Sequence, residues 1–178
     1  MTPGLRKFVL TAHLTFSIGW IGAAIAYLTL DVTVATSQDA QTLRAAWMAM
    51  ATIVSRAIVP LAVCSLLTGL VVSLGTRWGL FRHWWVLISL LLTLFATLVL
   101  VSESALIGRT AAIAANPATS DEHLRALPNT LLHSAGGTAV LLVVQTLNMY
   151  KPRGLTRYGW RKQHEELQRH ELPTAGVR

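Results

Sequence analysis

WWVLISLLLTLFATLVLVSESALI, residues 84–107, carries one ionisable side chain, Glu103, and neither proline nor glycine. A bilayer core is crossed by roughly 20 predominantly apolar residues in an α-helix, so this stretch predicts a membrane span. Three further runs share its character: Phe8 to Leu30, Ala57 to Gly75 and Leu131 to Met149. Lipid offers the backbone no hydrogen-bond partner, so each run must be helical. The composition agrees. Of 178 residues, 53% are hydrophobic and 13% charged, with a mean hydropathy of +0.50, which is not the balance of a water-soluble domain. The expected fold is all-α: a polytopic membrane protein built as an antiparallel bundle of four transmembrane helices. The helices are placed at about 8–30, 48–75, 84–107 and 130–149, within a domain over residues 1–150. A basic tail, 151–178, follows.

Basic residues in short connections set membrane orientation. Arg6, Lys7, Arg77, Arg82 and the tail's Lys151, Arg153, Arg157, Arg161, Lys162, Arg169 and Arg178 fall on one side. The other side has only Arg44, Arg109 and Arg125, beside Asp31, Asp39, Asp121 and Glu122. Both termini are therefore expected in the cytoplasm, and the protein in the cytoplasmic membrane as a multi-pass chain. The first apolar run is too long for the core of a cleaved signal peptide and is read as a retained span. Trp78, Trp84 and Trp85 fit an aromatic belt at the inner interface, and Trp47 one at the outer. Pro60 predicts a kink or an irregular turn near Arg56. Ser120 to His123 predicts a capped short helix in the connection before the last span.

The tail's basic residues, Tyr158 and Trp160 suit anionic lipid headgroups. Its Glu165 and Glu166 argue against a nucleic-acid arm. Met48 and Met50 are soft copper donors by type but read as packing, and Cys64, the one cysteine, as a small buried hydrophobe.

Ionisable groups inside spans are costly and mark candidate sites. They are His13, Arg56, Glu103 and His133, with His83 at the edge of a span. Trp20 lies seven residues after His13, on nearly the same helical face. A neutral imidazole there can ligate a metal, or it can hydrogen-bond across a helix interface, with Gln145 at a suitable depth. Gly136 and Gly137 follow His133 and clear the surface beside it, for a flat macrocycle or for a close neighbouring helix. Arg56 and Glu103 can pair, bind haem propionates through the arginine or form a proton path through the glutamate, while Arg56 can also snorkel to the interface. At 1.5 Å per residue, His13 and His133 differ by roughly 15 Å in depth. That gap is wide for two axial ligands of one iron, so a single-histidine haem or a His13–His83 pair stays open beside it.

The pattern His13, Trp20, Gly22 (H-x6-W-x-G) resembles the first helix of copper-resistance D type membrane proteins and, more loosely, of the membrane protoporphyrinogen oxidase type. The latter resemblance implies a haem-binding role for the helix 1 histidine. The blocks AHLTFSIGWIGA, SLLTGLVVSLGTRWGLFRHWWVL, LLHSAGG and YKPRGLTRYGWRKQ resemble a family of predicted four-helix integral membrane proteins of unknown function. The leading expectation is b-type haem held by His13 or His133 for electron transfer or haem handling, with Trp20, Gly136, Gly137 and His83 around it. The alternatives are a metal-ion or small-molecule transporter or accessory subunit with an outward-facing polar cavity around Arg56, Glu103 and His133, and a structural membrane protein without cofactor. Expected partners are the lipid bilayer, a second copy or a membrane redox partner. No catalytic residue is assigned.

Overall fold

The computed structural model describes residues 1–76 and 79–171, leaving Arg77, Trp78 and Arg178 outside the described residues. It is 84% helical, with no strand among the described residues. The elements are α1 (Pro3–Thr36), α2 (Ala40–Ile53), a π-helical turn (Val54–Ile58), α3 (Val59–Gly75), α4 (Trp84–Ala115), α5 (Asp121–Arg125), α6 (Leu131–Tyr150) and α7 (Arg157–Glu171). Because α2, the π turn and α3 are continuous, four helices are long and apolar enough to cross a membrane: Pro3–Thr36, Ala40–Gly75, Trp84–Ala115 and Leu131–Tyr150. Large apolar side chains such as Phe8, Ile18, Leu67, Phe95 and Leu98 point outward from them. That surface suits lipid and would be costly in water.

The first three helices outrun the apolar runs from which they were expected. Thr2 caps α1, with Pro3 in the first turn, where its missing N–H costs nothing. The helix then continues past Leu30 through Asp31 to Thr36. Asp39 opens α2 by accepting the Thr42 N–H at 2.8 Å and the Thr42 hydroxyl at 2.6 Å. These two bonds, the hydroxyl's first, hold its carboxyl below the usual carboxylate range. The outer connection expected over about 31–46 is therefore only 37–39, and Trp47 belongs to the core. It is fully buried, with Leu43 and Met50, and does not occupy an aromatic belt. Met50 packs as expected; Met48 is exposed.

The irregular turn anticipated from Pro60 is the π segment. A proline ring clashes with the carbonyl four residues back, here that of Arg56, and the wider π turn relieves the clash. Arg56 sits on this turn, exposed. Among the described residues it makes no ion pair with Glu103. α4 runs on to Ala115 and stops before Asn116 and Pro117. Its terminal carbonyls are capped by Arg44, whose guanidinium donates to the carbonyls of Ala114 (2.8 Å), Asn116 (2.7 Å) and Thr119 (2.5 Å). A cation at a helix C-terminus also complements the dipole. Ser120 caps α5, as its sequence suggested.

α1 packs on α2–α3 and on α6, and α4 packs on the same two, so the four long helices form a ring with α1 and α4 on one diagonal. The tail is docked rather than trailing. Lys151, at φ 44°, ends α6 in the left-handed conformation. The Thr156 hydroxyl donates to the Phe81 carbonyl at 2.5 Å and accepts the Gly159 N–H at 3.1 Å. Gly159 lies so close to the Arg82 carbonyl that any Cβ would collide with it. Arg82 then forms a two-pronged ion pair with Glu166, at 3.1 and 2.9 Å.

Candidate functional site

α1 has polar side chains on two seams. On the α3 side, His13 Nδ1 is 3.1 Å from the Ser65 carbonyl and 3.2 Å from Thr68 Oγ1. A carbonyl can only accept, so the ring proton is assigned to Nδ1 and the lone pair to Nε2. Ser17 and Ser65 share a hydrogen bond at 2.8 Å one helical turn away. The imidazole rests on Gly69, where a Cβ would stand 2.9 Å from His13 Cε1. This is the interhelical hydrogen bond anticipated as one reading of His13, made with Ser65 in place of Gln145.

On the α6 side, Asp31 is completely buried. Its two carboxyl oxygens are each 2.9 Å from Thr130 Oγ1, and Oδ2 is 2.7 Å from Ser134 Oγ. The Tyr27 hydroxyl lies 3.2 Å from Thr130 Oγ1. Thr130 has one hydroxyl proton, which it gives to Asp31, so Tyr27 must be the donor in that last bond. Tyr27 and Asp31 are four residues apart on one helix face, and α6 begins where its first hydroxyls meet that face.

Beside this network is a cavity of about 450 Å³. α1 contributes Trp20, Ala24 and Tyr27; the π turn, Val54 and Ile58; α4, the face from Phe95 to Ile107; and α6, the stretch from Thr130 to Leu141. Most of its wall is hydrocarbon. The polar groups are Glu103, His133, the indole of Trp20 and the hydroxyls of Tyr27, Thr130, Ser134 and Thr138. Glu103 is half-buried, and among the described residues no protein group hydrogen-bonds or ion-pairs with its carboxyl. Phe95, Leu132 and His133 are exposed, which places the mouth between α4 and α6. Gly136 and Gly137 keep the α6 wall thin: a Cβ on either would meet nothing within 4 Å.

Of the residues singled out in the sequence, Trp20, Glu103, His133, Gly136 and Gly137 line this one cavity; His13, Arg56 and His83 do not. His83 is at the far end of α4, its ring 6.4 Å from that of Trp85 and its backbone paired with Leu155. Asp31, bonded by Ser134, lies eighteen residues beyond His13 on α1. That is about 27 Å of helical rise, so His133 and His13 cannot ligate one iron. Among the described residues, no three His, Cys, Asp or Glu side chains gather as a metal site. The cavity itself does not fit haem. Among the described residues it offers one histidine, no arginine or lysine for the propionates, and a carboxyl where the haem is already anionic.

No family model, curated protein or solved structure matches the chain.

The residue that sequence reading passed over is Asp31, assigned to a connection because it is the first charge after an apolar run. Its spacing from Tyr27 was the available signal.

Proposed function

We propose that this protein is a multi-pass protein of the cytoplasmic membrane that binds a small, largely apolar molecule bearing a cationic group, as a carrier or the accessory subunit of one. The observation behind this reading is the half-buried Glu103 carboxyl, without a protein partner among the described residues, set in a hydrocarbon-walled cavity with no basic side chain in its lining apart from His133. Small-molecule sites pair apolar walls with a few convergent polar groups, and an unpaired carboxyl in such a wall complements a cation. The mouth between α4 and α6 faces lipid in the membrane, which is where an amphiphilic cation partitions. In this reading the bundle is antiparallel with both termini in the cytoplasm, the orientation favoured by eleven of the fifteen Lys and Arg on the terminal side.

The test is titration of the detergent-purified protein with a lipophilic cation such as tetraphenylphosphonium, read by quenching of tryptophan fluorescence, since Trp20 lines the wall. Saturable binding is expected, weakened by about tenfold, or ~1.4 kcal/mol, in Glu103→Gln. Gly136→Leu should abolish it by filling the space. Indifference to both substitutions would sink the reading. So would a Soret band in protein purified from haem-supplemented cells that disappears in His133→Ala, which would restore haem to this cavity.

A further inference from the structure

We infer that Asp31 is a proton-binding site, loaded from the cavity through the hydroxyls that separate the two. Tyr27, Thr130 and Ser134 line the cavity, whereas Asp31 does not. The carboxyl is fully buried behind them and bonded to two of the three. Its partners are all neutral hydroxyls, and no ion pair reaches it among the described residues. A buried carboxylate without a counter-charge is costly in a low-dielectric interior, and a proton removes that charge without rearranging the helices.

The path follows from the donor order. Tyr27 donates to Thr130, and Thr130 to Asp31. A proton reaching the Tyr27 oxygen from the cavity lets Tyr27 pass its own proton to Thr130, and Thr130 pass its own to the carboxylate. One proton leaves the cavity, one O–H bond forms on Asp31, and each hydroxyl ends with one hydrogen. Ser134 gives a shorter route, with its alternative acceptor, the Leu131 carbonyl, 3.1 Å away. The ionisable groups around this end of the bundle are Tyr27 on α1, Glu103 and the exposed Arg109 on α4, His133 on α6, the exposed Arg56 on the π turn, Asp39 and Arg44 at the start of α2, and Arg125 on α5, which donates to the Gln38 carbonyl. Asp39 is committed to Thr42 and Arg44 to the end of α4. Glu103 and His133 share the cavity and are the groups that can hand protons to the relay.

The experiment is infrared difference spectroscopy of the full-length protein in lipid, stepping pH in H2O and in D2O, with no ligand added, so that its result is independent of the cation-binding reading. A carboxylic-acid carbonyl band is expected to appear on acidification, to survive Glu103→Gln and to vanish in Asp31→Asn. Thr130→Val and Ser134→Ala together should leave the band but slow its shift in D2O by tenfold or more, because both hydroxyls that bond the carboxyl are gone while the carboxyl remains. The double variant also covers the case in which Asp31→Asn fails to fold. A band that persists in Asp31→Asn, no band in wild type, or an exchange rate unchanged in the double variant would each overturn the proposal.

Discussion

The seam around His13 and the seam around Asp31 lie on the same helix and use similar chemistry, an ionisable side chain bonded to a carbonyl and a hydroxyl in the first and to two hydroxyls in the second. They differ in what lies behind the partners. Behind His13 is Gly69, with no space for a methyl group beside the ring. Behind the partners of Asp31 is a cavity. A polar group in a membrane helix can be a packing device or a working group. If Asp31 is the proton site inferred above, adjoining space distinguishes the two better than residue type does.

Glycine substitutions test that contrast most directly. Gly69→Val should cost about 1–3 kcal/mol by overpacking, seen as a lower unfolding midpoint in detergent. Adding His13→Ala should recover part of the loss, so a double-mutant cycle should give coupling of the sign that marks relieved crowding. Additive losses would mean that the imidazole is free to move aside. Gly136→Ala, facing open space, should be neutral or should stabilise by up to about 1 kcal/mol through helix propensity. A loss there comparable to that at Gly69 would show that the cavity closes in solution and would erase the distinction.

The smallest expected effect lies at the other end of the molecule. The hydrogen bond from Arg82, followed by its charge, holds the Glu166 carboxyl below its usual value of 4.5. A depressed carboxylate contributes its stabilisation above the unfolded value and loses it as pH falls through the folded one. Docking of α7 should therefore be constant at neutral pH and loosen as acidification passes below about pH 4.5, measured as faster amide exchange over Arg157–Glu171. Glu166→Gln should remove that dependence. The pair is solvent-exposed, so the change should be modest and should shrink with added salt.

The membrane spans were legible because lipid imposes one rule on sequence: a long apolar run that must be helical. The helix ends were less so. α1, α2 and α4 continue beyond the lipid-length run, and what stops them is local: Ser37 after α1, Asp39 before α2, and Asn116 and Pro117 after α4. Pro60 signalled the π turn because its effect is also local. The cavity residues Trp20, Glu103, His133, Gly136 and Gly137 stood out one by one, yet their gathering depends on helix rotation and ring order, which hydropathy does not encode. Trp47 and Asp31 were misplaced for a shared reason. Charged or amphipathic residues near a span end look solvent-facing until the partners brought by other helices are known.

Asp31 and its bonding partners are separated by 99 and 103 residues of chain. At roughly 5–20 residues per second of synthesis, α1 waits on the order of 5–20 s for the hydroxyls that satisfy its carboxyl. During that interval the group faces lipid or water unpaired. A chain that stops before the last span cannot complete the contact at all. The carboxyl is thus concealed only when the final helix has been inserted.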